Sequence, residues 1–142
     1  MFNFNSISKL LTPVLFAGVL LLNTVASAQT LYTGLVIDAR GLGVLPSMSP
    51  KIYDVTGNEV YGTMIVDPDF VIEQGIAGFA ESVETAVEEG IVGGNPMVVR
   101  AISLAEDPSR GSVVVRDNDA VRILAANVKS AFFNNYKVAI IM

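Results

Sequence analysis

The sequence predicts an α+β domain built on a single mixed β-sheet of about four to six strands, with two main helices on one face. Three observations lead there. Segments rich in β-branched and aromatic residues recur between clusters of Gly, Pro, Asn and Asp. Two stretches carry apolar residues at helical spacing. The segment 112–142 reads strand, helix, strand, which implies a parallel pair joined by a right-handed crossover. The expected order is β-ββ-α-β-β-α-β.

Leu31 to Ala39 alternates, with Leu31, Thr33, Leu35 and Ile37 on one side and Tyr32, Val36 and Asp38 on the other, so it reads as a strand. Arg40-Gly41-Leu42-Gly43, Pro46 and Pro50 break it into an irregular stretch over 40–50. Lys51 to Tyr61 reads as a hairpin around Gly57-Asn58. A four-residue loop would set Asp54 against Glu59, which is repulsive. A two-residue Gly-Asn turn is preferred, and a three-residue loop with a bulge is its nearest competitor.

Asp67-Pro68 is a helix start, a capping carboxylate before a proline at the first helical position, with Asp69 in the first turn. Phe70 to Gln74 makes a short helix ended by Gly75. From Ile76, apolar residues recur at 76, 79, 80, 83 and 87, opposite Glu81, Glu84 and Glu88, until Gly90. Gly78 interrupts this stretch, so one kinked helix or two short ones fit it. Gly93-Gly94-Asn95-Pro96 is a loop. Met97 to Ala105 favours a strand by its Met-Val-Val run and alternation at 98, 102 and 104, although Asn95-Pro96 also suits a helix cap. Asp107 to Gly111 is a turn cluster. Ser112 to Arg116 is a strand, and Asp117 or Asn118 caps a helix whose apolar stripe is Val121, Leu124, Ala125, Val128 and Phe132. Tyr136 to Met142 closes the domain as a strand apolar enough to lie inside a sheet.

Composition excludes more chemistry than it suggests. The 142 residues include no His, Cys or Trp, so His/Cys zinc sites, thiol nucleophiles, His-based triads and disulfides are impossible within the chain. Nine basic against 14 acidic residues give a formal charge of −5, which argues against nucleic acid as a partner. The mean hydropathy of +0.53 owes part of its size to residues 1–28. One base, Lys9, precedes an apolar run from Leu10 to Leu22, and Ala26-Ser27-Ala28 offers a small-x-small cleavage site before Gln29. That order is a secretory signal peptide. The run would make about 20 Å of helix, short of a hydrocarbon core of roughly 30 Å. The expected organisation is a signal peptide over 1–28 and one globular periplasmic or secreted domain over 29–142. Cleavage would move the formal charge to −6 and leave no membrane-spanning segment.

Few motifs carry chemistry. Gly41-Leu-Gly43 follows a strand, but a dinucleotide loop needs G-x-G-x-x-G opening a helix, and Pro46 stands in the way. Asp117 and Asp119 at a helix start would repel phosphate, and the Asp117-Asn118-Asp119 run lacks the later Gly and Glu of a calcium loop. Glu81, Glu84, Glu88 and Glu89 read as a solvated helix face. Asp38 and Arg40 sit two apart at a strand end and read as a local ion pair. The strand end Asp38, Arg40, Gly41 and Gly43 is the candidate interaction or ligand region. No catalytic residue, metal ligand or cofactor is assigned.

The run YTGLVIDARGLGVLPSMSPKIYDVTGNEVYG (32–62) resembles a block of uncharacterised exported bacterial proteins, and the stretch from Val113 through Asp117-Asn-Asp-Ala120 to the final apolar strand resembles their ending. These are associated with small membrane-associated lipoproteins related to flagellar assembly protein T. The resemblance implies a periplasmic or outer-membrane-associated protein, although this chain lacks the lipidation Cys of the lipoprotein members.

The leading expectation is a non-enzymatic exported domain that contacts another envelope protein or itself, in an envelope or flagellar-type assembly. A carboxylate-dependent hydrolase or small-ligand-binding protein is the alternative, and an extracellular structural subunit a second. Intact-mass measurement of the protein recovered from an envelope fraction is expected to place its N-terminus at Gln29. A chain still beginning at Met1 would identify the apolar run as a retained anchor.

Overall fold

Leu35, Val36 and Ile37 are wholly buried, so the first strand needs apolar cover on both of its faces. The computed structural model describes residues 31–62 and 75–142. The expected signal peptide, the Asp67-Pro68 helix start and the short helix over 70–74 lie outside the described residues.

Among the described residues the elements are β1 (Gly34–Asp38), β2 (Ile52–Tyr53), β3 (Glu59–Tyr61), β4 (Gly78–Ala80), α1 (Val83–Glu88), β5 (Pro96–Arg100), β6 (Ser103–Leu104), β7 (Val113–Val114), α2 (Asp117–Ser130) and β8 (Val138–Ile141). The α+β class holds, with two helices as expected, but the strands divide between two four-stranded sheets rather than joining one. The first sheet has the order β4-β8-β1-β5 and is parallel throughout. The second, β3-β2-β7-β6, is mixed. The irregular stretch after β1, with Pro46 and Pro50, carries the chain out of the first sheet before β2 begins.

The expected crossover pair over 112–142 does not form. Its two strands lie in different sheets: β8 inserts between β4 and β1, while β7 pairs with β2 and β6. Local chemistry explains the capture of β7. The Asp107 carboxylate accepts from the Ser109 N–H, the Ser109 hydroxyl and the Ser112 hydroxyl, which closes a tight turn and folds β6 back on β7.

The two helices also differ from expectation by lying on opposite faces of the parallel sheet. On one face, Val36, Ala139 and Ile141 pack with Ala80 and with Ala86, Val83 and Val87 of α1. On the other, Leu35, Ile37, Met97, Val99, Val138 and Ile140 share a core with Ile52, Tyr61 and Val113 of the second sheet and Ala120 and Ile123 of α2. Phe132 and Phe133 close this core, Phe133 lying 4.6 Å from the Tyr61 ring. The buried Tyr61 hydroxyl donates to the Ile76 carbonyl at 2.6 Å.

Residues 76–80 are not helical. Gly78 to Ala80 pair with β8, and a Cβ on Gly78 would meet the Ile91 side chain at 2.8 Å, so any larger residue here must displace Ile91. The helix starts only at Ser82, whose hydroxyl accepts the Thr85 N–H. It ends at Gly90 (φ +74°), where the Gly90 and Ile91 N–H groups bond Val87 and Ala86 carbonyls in a Schellman cap. Glu81, Glu84, Glu88 and Glu89 are exposed, as expected for a solvated face.

The hairpin takes the three-residue loop rather than the preferred two-residue turn. Asp54 N–H donates to the Asn58 carbonyl and Gly57 N–H to the Asp54 carbonyl, with the positive φ falling on Gly57. The Asp54 carboxylate decides this, accepting N–H and side-chain bonds from both Thr56 and Asn58. Met97 to Ala105 is not one strand but two, β5 and β6. Met97, Val99 and Ala101 are buried and Leu104 packs partly buried against the core, whereas Val98 and Ile102 are exposed.

Helix α2 is turned relative to expectation. Ala120 and Ile123 are buried, whereas Val121, Leu124, Ala125 and Val128 face solvent, and of the expected stripe only Phe132 is in the core. Neither Asp117 nor Asn118 caps it: Arg116 is the N-cap, without a side-chain bond. Asp117 instead accepts the Val55 N–H of the hairpin loop at 3.0 Å. The helix has two apolar lines, and small Ala120 lets the 120/123 line approach the sheet closely. Ile123→Ala is therefore expected to lose about 2–4 kcal/mol in urea unfolding, while Val128→Ser changes stability by less than about 0.5 kcal/mol. The reverse ranking would restore the other line as the core.

Candidate functional site

β1 ends where the parallel sheet presents its C-terminal edge, the usual place for ligands in open parallel sheets. Its last residue, Asp38, gathers two arginines. Asp38 Oδ1 accepts from Arg40 N at 3.1 Å and Nε at 3.0 Å, and Oδ2 accepts from Nη2 at 2.8 Å. Arg100 Nη1 lies 3.5 Å from Oδ2. The Asp38 side chain is 13% exposed, the Arg40 and Arg100 side chains 55% and 63%. The expected local pair is thus present and is a three-residue cluster.

Arg100 was not legible as a member. It reaches Asp38 because β1 and β5 run parallel with Asp38 opposite Arg100, a register that no local pattern encodes. Gly41 (φ +86°) lies in the turn after Arg40, closed by the Leu42 N–H on the Ala39 carbonyl. Gly43 points its bonding elsewhere: its carbonyl accepts from Arg110 Nη2 at 3.3 Å, and a Cβ there would meet that nitrogen at 2.9 Å. The four candidate residues therefore split, Asp38 and Arg40 bonded together and Gly43 tied to the Asp107–Gly111 turn.

The hydrogen bond from the Arg40 side chain pulls the Asp38 carboxyl down to about 2, against the opposing effect of its partial burial. A carboxylate so acidic is a poor general base near neutrality. The guanidinium groups retain exposed edges able to meet an acidic group, but Glu84 also acts electrostatically on Arg40, so the cluster together with Glu84 carries no net charge.

Two further carboxylates are structural acceptors. Burial works to raise Asp54, but bonds from Asn58 and Thr56 outweigh it and hold the group below its usual value. Bonds from Ser112 and then Ser109 lower Asp107 in the same way. Ser112 is itself buried and its hydroxyl also accepts the Lys51 N–H, which ties the turn to the strand beside it. A groove of about 570 Å³ runs between the hairpin loop and β6, floored by Tyr53, Leu104 and Val114 with Asp54 and Glu106 along it. Among the described residues no three acidic side chains are grouped to hold a metal ion.

The family described as Treponema pallidum Tp0624, second domain, matches residues 34–142, which spans both sheets and both helices. The chain belongs to this family. No curated protein matches the chain significantly. The match begins at Gly34 of β1 and runs beyond β8, so the Asp38 cluster and α2 both lie within the family's domain.

Since the Asp38 carboxyl is depressed on folding, its stabilisation is complete above the unfolded value of 3.8 and is lost as pH falls through about 2. Solvent around the two guanidinium groups limits that contribution to about 1 kcal/mol. Asp38→Asn is expected to lose that amount in urea unfolding at pH 7, with the gap to the parent protein closing between pH 4 and pH 2. An undiminished gap at the acid end would show that the loss comes from packing rather than charge.

Proposed function

We propose that the chain is an exported, non-enzymatic domain of the bacterial envelope that works by contacting protein, in an envelope or flagellar-type assembly. The observation that carries this reading is α2. Val121 and Val128 are 67% and 83% exposed on a helix whose other apolar line already serves the core. Apolar residues aligned on one exposed helix face commonly mark an interaction surface.

Three further points support it. The leader-like residues 1–28 favour a periplasmic or secreted location. The described residues hold no helix long and apolar enough to cross a membrane. In its namesake the matching unit is a second domain, one part of a larger protein, which suits a module that works beside other folded parts. The carboxylate-hydrolase reading loses its best candidate, because Asp38 is committed to Arg40 through both oxygens.

Crosslinking in intact cells that express the tagged full chain tests the reading. The expected result is a stoichiometric adduct in the envelope fraction, with a defect in the envelope or in motility when the protein is deleted. Recovery of the chain alone at every crosslinker dose, with an unchanged deletion phenotype, would overturn it.

A further inference from the structure

We infer that the end of the domain where the chain leads into β1 rests on an anionic lipid surface, with Lys129 and Lys137 taking headgroup phosphates and Leu31 entering the interface. The inference rests on the leader reading of residues 1–28, and it adds a lipid contact to the protein contact proposed above.

A groove of about 590 Å³ opens at this end. Leu31 and Tyr32 line it, with Lys129 from the last turn of α2 and Asn135 and Lys137 from the segment leading into β8. Its lining includes two lysines and no carboxylate. Leu31 is 63% exposed, while Tyr32 packs partly buried against the large core. An aliphatic side chain, a tyrosine with a polar tip and flanking lysines are the residue types that sit at a membrane–water boundary.

Charge is segregated along the chain in a way that favours this contact. The formal charge is −5, yet residues 1–37 and 120–142 contain no acid, and these two stretches supply every residue that lines the groove. Glu89 lines the adjacent depression, which shares Asn135 and Lys137. Lys137 Nζ donates to the Gly90 carbonyl at 3.2 Å rather than pairing with Glu89, and a backbone acceptor leaves its charge uncancelled. Glu88 ends α1, which packs on the opposite face of the parallel sheet from α2. Position along the chain selects lipid over an acidic protein. The apolar run ends at Leu22, so at most about 32 Å of extended chain separates it from Leu31. A leader still in the bilayer therefore holds Leu31 within reach of the headgroups. Cleavage before Gln29 would add an α-ammonium two residues from Leu31, on the same positive end. Two lysines and one aliphatic side chain make a weak, reversible, salt-sensitive attachment.

The chain has no Trp, so Leu31→Trp puts a single reporter at the groove and Val55→Trp puts one beside Asp117, at the other end of α2. In the processed chain, brominated vesicles containing phosphatidylglycerol are expected to quench Leu31→Trp and to leave Val55→Trp unquenched. Phosphatidylcholine vesicles are expected to quench neither. Lys129→Gln with Lys137→Gln is expected to raise the lipid concentration for half-quenching about thirtyfold, roughly fivefold per lysine. Arg116→Gln, the same charge change at the start of α2, is expected to move it less than about twofold. Co-flotation of the chain without a reporter is expected to show the same dependence on the two lysines. Quenching that ignores the lysines, that is equal on neutral vesicles, or that is equal at Val55→Trp would overturn the inference. Lysine-dependent binding of soluble polyglutamate without vesicle quenching would also overturn it, in favour of an acidic protein. Intact mass decides the leader reading and in-cell adducts decide the protein-contact reading, so each fails separately from this inference.

Discussion

The burial of β1 on both faces is the constraint that organises this domain. A strand with Leu35, Val36 and Ile37 all removed from solvent must be covered twice. Neither helix is large enough to do both, so α1 takes one side, and α2 with the second sheet takes the other. Gly34 shows how tight the arrangement is. A Cβ there would meet the Val92 carbonyl oxygen and the Lys137 carbonyl oxygen, both backbone atoms with little freedom to yield. The strand enters its sheet through a gap that glycine alone fits.

Short polar contacts then set the connections. Asp54, Asp107 and Asp117 each accept a backbone N–H two or more residues away, and each joins a loop to an element that follows or precedes it. This is how a cysteine-free chain keeps its loops ordered. At Asp54 and Asp107 these donors hold the carboxyl below its usual value, which leaves both groups poor at proton transfer near neutrality. The abundance of acidic residues is therefore partly architectural.

Much of this is legible in the sequence, and each part that is not has its own physical cause. Strands with strong alternation or continuous apolar character, such as 34–38 and 138–141, were readable because their burial is intrinsic to their residues. The Asp38–Arg40 pair was readable because both partners lie in one short stretch. Arg100 was not, since the β1–β5 register is a long-range fact. The stripe of α2 failed for a different reason. Ala120 and Ile123 are as apolar as Val121 and Leu124 for pattern purposes, so periodicity found a face without saying which one the core would claim. Residues 76–80 read as helix because five residues with Gly78 at their centre satisfy either period, and only the edge of β8 decided between them.

The position of β8 has a consequence for how the chain comes to be folded. Its neighbours are β1 and β4, so the centre of the parallel sheet unites residues about a hundred positions apart. Until residues 138–141 are available, β1 and β4 have no strand between them and the large core has no floor. Contacts of this range form slowly and late. Closure of the parallel sheet therefore waits on the strand that comes last among its members, whatever the earlier segments have already formed.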